Sequence, residues 1–183
     1  MVFLKINKNL LITLVNIFNK KPNMRKLLIL FISIVFVSCN QQTSNVDNAE
    51  WSGSISENDN KTQIVRDVMQ SYVDNNMATM KDHFNPEAEI SVNDNIISFD
   101  EMVAGFASGH EKFDNITHSN VIATTMFYNN GKVFTNTWYD WSGISKNTGE
   151  EVNLRGYCSW EWDNDKIVSV YNAFDPTKYN EHF

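Results

Sequence analysis

Cysteine and histidine are scarce in this sequence, which holds 2 cysteines and 4 histidines among 183 residues. Cys39 and Cys158 stand in such different sequence surroundings that we expect no disulfide between them. The histidines do not show the spacing that metal ligands have, and they are His83, His110, His118 and, in the C-terminal tail, His182. A metal site needs a cluster of ligands, so we predict no metal site and no cofactor.

Positive charge is also scarce beyond the N-terminal region. Residues 1–39 carry six Lys or Arg and no acidic residue, which leaves 9 basic and 22 acidic groups in residues 40–183, a net charge of −13. Such a body repels phosphate backbones at long range. We therefore expect no nucleic acid among its partners.

Long hydrophobic runs are absent too. The apolar run 27–37 has eleven residues and would span about 16 Å as a helix, too little for a bilayer core of about 30 Å. It follows the basic Met24-Arg25-Lys26 and precedes Ser38-Cys39, an arrangement typical of a cleaved signal peptide. FVSC resembles the lipobox of bacterial lipoproteins, although Phe36 replaces the usual aliphatic residue. We predict that Cys39 is lipidated, and an ordinary signal peptide that contains a cysteine is the alternative.

These features divide the chain into four segments. Residues 1–23 are interpreted as an over-extended start before Met24, or else as a long basic leader. Residues 24–38 are the predicted lipoprotein signal, and 39–60 are the lipidated cysteine with a polar, flexible tether of about 25 Å reach. The folded domain is predicted at 61–183. The resulting location is the bacterial cell envelope, lipid-anchored on the periplasmic or surface side of the outer membrane.

The predicted domain begins with helices. From Thr62 onward apolar residues recur at spacings of three and four, which indicates a long helix, a short second helix and an end at Pro86. Ser98 and Glu101 have the spacing of a capping box before a third helix, which we expect to end at Gly109. Between them, 88–92 predicts a short strand.

Strands dominate the second half of the sequence. The runs 116–128 and 132–141 are separated by Asn129-Asn130-Gly131, a strong hairpin signal. Residues 152–162 alternate apolar and polar side chains, and after Asp163-Asn164-Asp165 the run 166–174 returns. The predicted fold class is α+β: a curved antiparallel sheet wrapped around the long first helix, with a cavity at its open end.

The order of these elements carries a resemblance. FNPEAEI after the helices, TGEE before the next-to-last strand and DKIVSVYNAFD at the end are together similar to the nuclear transport factor 2-like superfamily, and within it to the SnoaL-like group. The resemblance covers about 61–176 and implies a cystatin-like cone with a pocket. This superfamily includes ketosteroid isomerases, polyketide cyclases, limonene epoxide hydrolases and non-catalytic association modules, so the fold alone does not assign a function.

The resemblance places no familiar catalytic acid in this chain. Val92 and Cys158 stand where ketosteroid isomerases have carboxyl groups, and Asn172 replaces the acid that protonates the epoxide in limonene epoxide hydrolases. The same match directs Val168, Val170, Asn172 and Phe174 toward the cavity. Asn172 is then either a ligand contact, able to donate and accept, or a structural residue bonded to nearby main chain.

Aromatic residues supply the other candidates. We predict a ligand site lined by Tyr72, Trp138, Tyr139, Trp141, Cys158, Trp160 and Asn172. The two faces of the strand 132–141 cannot be told apart, because both are mixed. Trp162 is interpreted as filling of the core, and Cys158 as a buried thiol rather than a nucleophile.

Two functions remain open from the sequence. The first is a non-catalytic module that binds a small apolar or ring-containing ligand, or a partner protein, in the cone. The second is a lyase, isomerase or cyclase that uses Asp140 as its acid, provided that this side chain points inward and is desolvated. Arg155, Tyr157 and Tyr171 are expected on the outer sheet face, where we predict a homodimer interface.

Overall fold

The computed structural model describes residues 48–183, so Cys39 and the predicted signal lie outside the described residues. It contains one seven-stranded sheet with two long helices packed on its concave side. The elements in chain order are β1 Gly53–Ser56, α1 Asn60–Val73, a 3₁₀ helix Met77–His83, β2 Phe84–Val92, β3 Asn95–Ile97, α2 Phe99–Lys112, β4 Phe113–Tyr128, β5 Val133–Ser145, β6 Glu151–Asp163, β7 Lys166–Phe174 and α3 Thr177–Asn180.

The sheet has the spatial order β1-β4-β5-β6-β7-β2-β3. Neighbouring strands are antiparallel except β2 and β7, which are parallel. The predicted α+β cone with a curved, unclosed sheet is confirmed. Within residues 48–183, no helix has the length and the apolar character that crossing a membrane requires.

The helices begin where the sequence indicates. Asp59 caps α1 by accepting hydrogen bonds from the backbone N–H groups of Lys61 and Thr62, each at 3.0 Å. Ser98 and Glu101 form the predicted capping box at the start of α2. Val65 and Val68 of α1 are fully buried, so the apolar stripe of this helix covers the sheet.

Two local expectations are wrong. Gly109 does not end the third helix, because α2 continues to Lys112. Gly109 is buried inside α2 instead, and a Cβ atom there would lie 2.5 Å from the hydroxyl of Tyr179. Pro86 does not precede the strand but lies within β2, in the register shift between Phe84 and Glu89, where a missing N–H costs no ladder bond.

The segment 39–60, predicted as a tether, contains β1 and the first residue of α1. β1 pairs with the edge of β4, from Gly53 opposite Tyr128 to Ser56 opposite Thr125. Its short polar sequence shows no periodicity that would indicate a strand. The strand forms because β4 offers unpaired backbone groups at the sheet edge.

Bulges bend the sheet around α1. The pairing of β4 with β5 shifts register twice, between Asp114 and Thr117 and between Ser119 and Ile122. Asn115 and Asn120 lie in these shifts with left-handed φ angles of 52° and 50°. A bulge increases bending and reverses which side chains face inward, so the two asparagines direct His118 toward the concave side.

A chain of hydroxyl groups connects α1 with β4 and β5. The side chains of Thr62 and Thr125 are 2.8 Å apart, as are those of Thr125 and Thr135. Trp162 donates its indole N–H to Thr135 at 2.9 Å. Trp162 is buried in this layer, where it fills the core as predicted.

Candidate ligand-binding site

A cavity of about 260 Å³ lies between α1, α2 and the concave face of the sheet. Aliphatic and aromatic side chains make up most of its wall. The wall residues are Val68, Met69, Tyr72, Met77, Val92, Ile97, Glu101, Met102, Gly105, Phe106, His118, Tyr139, Trp141, Leu154, Cys158, Trp160, Val170, Asn172, Phe174 and Tyr179. This volume is close to the lower end of the range for small-molecule sites, which begins at roughly 300 Å³.

Most of the predicted ligand contacts line the cavity. Five of them are Tyr72, Tyr139, Trp141, Cys158 and Trp160. Asn172 lines it as well, together with Val170 and Phe174 of the same strand. The prediction that Val168 also faces the cavity is wrong. The register shift between Glu161 and Trp162 turns the neighbouring Ile167 inward instead.

Trp138 and Asp140 point away from the cavity. Strand β5 alternates, so Tyr139 and Trp141 face inward and their neighbours face outward. Trp138 is 42% exposed and packs against Tyr157 on the outer face. The prediction that Trp138 contacts a ligand in the cone is therefore wrong.

Asp140 does not have the surroundings of a catalytic acid. Its carboxylate accepts a hydrogen bond from Asn120 at 2.8 Å and lies 3.3 Å from Arg155 Nε on the outer face. These two partners, Asn120 first, hold the pKa of Asp140 below its usual value. The carboxylate is ionised at neutral pH and distant from the cone, so the prediction of Asp140 as the pocket acid is wrong.

Tyr139 reaches across the sheet to Asn172. Its hydroxyl donates to Asn172 Oδ1 at 2.9 Å, and both residues are buried. Gly156, which pairs with Tyr139 on β6, makes this possible, because a Cβ atom there would lie 2.2 Å from Tyr139 Cζ. Asn172 is therefore held by a side chain rather than by main chain, while it still lines the cavity.

Tyr72 and Trp141 form a second polar pair in the wall. The indole N–H of Trp141 donates to the Tyr72 hydroxyl at 2.7 Å, and His110 Nε2 lies 2.7 Å from the Tyr72 carbonyl oxygen. Burial raises the pKa of both Tyr72 and Tyr139 above the ordinary value. Both phenols are therefore neutral at physiological pH.

His118 is one of the wall residues that sequence reasoning missed. Its imidazole stacks on Tyr72, with ring centroids 5.2 Å apart, and lies 4.6 Å from the ring centroid of Tyr139. Burial lowers the pKa of His118 to about 4, against a smaller opposing effect of a backbone hydrogen bond to Met69. His118 is therefore a neutral base in the cavity wall. The sequence feature that could have indicated its inward position is the pair Asn115 and Asn120. Asparagines permit bulges but do not specify them.

The cavity interior holds no charged group among the described residues. The only acid in its wall is Glu101, whose carboxylate is exposed and accepts hydrogen bonds from the N–H and hydroxyl of Ser98. Cys158 is fully buried, which raises the pKa of its thiol and disfavours the nucleophilic thiolate. Across residues 48–183, no group of three or more His, Cys, Asp or Glu side chains is arranged to hold a metal ion.

The C-terminal segment covers one side of the site. Tyr179 of α3 lines the cavity and stacks on Phe113, with ring centroids 5.1 Å apart. Its edge also contacts Trp141, and Gly109 leaves room for its hydroxyl on α2. The small hydrogen at Gly109 therefore allows α3 to pack against the open end of the cone.

No protein-family model matches the sequence, and no curated protein matches it either. Solved structures do resemble the fold. A candidate polyketide cyclase from Xanthomonas campestris pv. campestris superposes with a TM-score of 0.54 at 11% identity, over 66% of this chain and 94% of that one. A nuclear transport factor 2-like protein of unknown function from Burkholderia pseudomallei gives a TM-score of 0.53 at 13% identity, over 68% and 97%.

A nuclear transport factor 2-like protein from Burkholderia thailandensis gives a TM-score of 0.50 at 23% identity, over 66% of this chain and 94% of that one. Identities this low support a shared fold and not a shared activity. The order of the sequence motifs and the curved sheet agree with these superpositions. Residues 48–183 therefore have the cone fold of the nuclear transport factor 2-like and SnoaL-like proteins.

Proposed function

We propose that this chain is an envelope-anchored protein that binds a small, largely apolar molecule in its cone without catalysing a reaction. The observation that carries the proposal is the cavity of about 260 Å³ with aromatic walls and an uncharged interior. Such walls favour an apolar or ring-containing ligand, because burying an unpaired charge there would cost far more than the contacts return. Two polar pairs, Trp141 with Tyr72 and Tyr139 with Asn172, hold the wall in place.

The absence of a pocket acid favours binding over the acid–base alternative. With Asp140 on the outer face, the described cavity wall has only the exposed cap residue Glu101 as a carboxylate. A general acid must lie within hydrogen-bonding reach of its substrate. Glu101 is committed to the start of α2, so its loss would primarily affect the helix.

Envelope anchoring rests on the sequence pattern that ends at Cys39. A lipid on this residue would hold the cone near a membrane, where apolar molecules concentrate. The polar stretch between Cys39 and β1 would supply the tether. The membrane is thus a partner of the protein through its anchor rather than through the folded part.

A second copy of the chain is the protein partner that we propose for the outer sheet face. Ile122, Trp138 and Tyr171 are 58%, 42% and 41% exposed there. Arg155 and Tyr157 lie on the same face, as the sequence predicts. Exposed aromatic and apolar side chains on one sheet face are typical of an interface.

The test is mass spectrometry of small molecules that copurify with the protein. Gly105 lies at the cavity wall, and a Cβ atom there meets nothing within 4 Å. Gly105→Trp should therefore occupy the cavity entrance and remove a copurified compound that the wild-type protein retains. Ala104→Trp places the same side chain on the exposed position beside it and serves as the control.

Recovery of the same compound from wild type and Ala104→Trp, but not from Gly105→Trp, would support binding in the cone. Equal recovery from all three proteins would place the compound elsewhere. Turnover of the compound by the wild-type protein would contradict the non-catalytic assignment. A copurified protein that Gly105→Trp displaces would instead identify a partner protein as the occupant.

A further inference from the structure

One buried polar group of the cavity wall is open toward the cavity. Asn172 is 9% exposed, and its Oδ1 accepts a hydrogen bond from the Tyr139 hydroxyl at 2.9 Å. Its Nδ2 has no acceptor within residues 48–183. The fully enclosed side-chain nitrogen and oxygen atoms without a partner in this part of the chain are His118 Nδ1 and His182 Nδ1. Asn172 Nδ2 is not one of them, so it retains accessible surface, whereas His118 Nδ1 is out of a ligand's reach.

The position of Asn172 in the sheet directs this surface into the cone. Strand β7 lies between β6 and β2, where Asn172 pairs with Cys158 on one side and with Val92 on the other. Both neighbours line the same cavity, and a thiol and an aliphatic group offer the amide no good acceptor. A molecule that fills the cavity and displaces water must therefore supply an acceptor, because otherwise it leaves a buried N–H group unpaired.

The amide of Asn172 presents a donor to the cavity and not an acceptor. Among the described residues, the Tyr139 hydroxyl has Asn172 Oδ1 as its acceptor, and turning the amide around would leave that buried proton unpaired. The Tyr179 hydroxyl in the wall also has no partner within residues 48–183. A hydroxyl both donates and accepts, so it does not restrict the ligand. The amide nitrogen of Asn172 only donates, so it selects for a ligand with an acceptor atom.

We propose that the cone takes an uncharged carbonyl compound, whose oxygen accepts a hydrogen bond from Asn172 Nδ2 while its apolar remainder packs against Trp141 and Trp160. This binding mode rests on the proposed ligand-binding function and specifies the chemistry of its ligand. A carboxylate also accepts hydrogen bonds, but it would enter an interior without a counter-charge, in a body of net charge −13. A hydrocarbon would leave the buried amide unpaired.

Two probes of one shape test the need for an acceptor. Acetophenone carries a ring and a carbonyl oxygen, and α-methylstyrene replaces that oxygen with a CH₂ group that accepts no hydrogen bond. Calorimetric titration of the full-length protein in one detergent gives the ratio of the two dissociation constants for each protein variant. Each probe partitions between water and micelles in the same way in every sample, so a change in this ratio between variants reports a change in the protein.

A pair of variants isolates the amide of Asn172. Tyr139→Phe is the reference, and Tyr139→Phe with Asn172→Leu removes the amide as well, so that no phenol hydroxyl at position 139 replaces the lost donor. The double variant should bind acetophenone about fivefold to tenfold more weakly, relative to α-methylstyrene, than the reference does. Asn153→Leu makes the same change at an exposed asparagine of β6 and should keep the wild-type ratio. Equal ratios in the reference and the double variant would overturn the assignment.

Isotope-edited infrared spectroscopy of bound acetophenone gives a second measurement, which needs no change at Asn172. A hydrogen bond from Nδ2 should lower the C=O stretching frequency of the bound probe below its value in hexane. Subtracting the spectrum of the Gly105→Trp protein, in which the added side chain should occupy the cavity entrance, removes the contribution of probe in micelles. A bound probe with the hexane frequency would overturn the inference even if the double variant fails to fold.

Failure of this inference is distinguishable from failure of the proposed function. If both probes bind and removal of the Asn172 amide changes neither the ratio nor the frequency, the carbonyl contact is wrong and binding in the cone stands. If neither probe binds, both the inference and the proposed cone function are wrong.

Discussion

The hydrogen bond between Tyr139 and Asn172 stabilises the wall of the cavity. The two side chains are 8% and 9% exposed, and the donor and acceptor oxygens are 2.9 Å apart. Asn172→Leu leaves the Tyr139 hydroxyl buried without its acceptor, which should lower the free energy of unfolding by about 1–3 kcal/mol. Tyr139→Phe should cost less, because the amide group of Asn172 faces the cavity.

The double substitution tests whether this bond, rather than shape, carries the effect. With both polar groups removed no buried partner is left unpaired, so Tyr139→Phe with Asn172→Leu should cost about 1 kcal/mol less than the sum of the single changes. Urea denaturation of the purified proteins measures these free energies. Asn153→Leu, an exposed asparagine on β6, is the control and should stay within about 0.5 kcal/mol of wild type.

If the double substitution lowers the free energy of unfolding by the full sum of the two single changes, the reasoning is refuted. It is also refuted if Asn172→Leu is as stable as the wild-type protein. The bond to Tyr139 predicts that the melting temperature of Asn172→Leu falls by roughly 2–4 °C per kcal/mol lost. Binding of a compound that copurifies with the wild-type protein should fall by roughly fivefold to a hundredfold in Asn172→Leu, because the orienting amide is lost with the bond.

Three further predictions concern other parts of the chain. Burial lowers the pKa of His118 from 6.5 to about 4, so the unfolded chain binds a proton between these pH values while the folded protein does not. The free energy of unfolding should therefore fall as pH decreases through this window, and thermal denaturation of His118→Phe should lack that component. Cys39→Ala should abolish labelling by a palmitate analogue and release the protein from membranes, and unchanged labelling would exclude this anchor. Light scattering should give a dimer mass at tens of micromolar protein, which Trp138→Glu converts to a monomer mass by placing a charge on the outer face. A monomer mass for the wild-type protein would reject the interface.

Much of the fold was predictable because its signals are local. The capping box at Ser98 and Glu101 and the turn before Lys132 depend on residues a few positions apart, and both form as expected. The turn residue Asn164 adopts the left-handed φ of 52° that a tight hairpin needs. Strict alternation along β6 also placed Cys158 and Trp160 on the concave face.

The site was only partly predictable, because the sheet face on which a side chain lies depends on how its strand pairs with the neighbouring strands. Trp138, Tyr139 and Trp141 were all expected at the ligand, yet a strand cannot direct neighbours 138 and 139 to one face. Both faces of β5 carry large side chains, so periodicity could not choose between them. The choice came from pairing with β6, which sets Tyr139 opposite Gly156.

The sequence by itself determined the order of helices and strands, the apolar faces of α1 and β6, and through them the cone. Those features follow from periodicity and turn chemistry within short windows. Only the tertiary structure decided that Asp140 faces outward and that His118 faces inward. The physical reason is that the bulges at Asn115 and Asn120 reverse the facing of β4, and a bulge forms through pairing with another strand. The bond between Tyr139 and Asn172 likewise joins strands that are adjacent to a common neighbour in space but distant in sequence.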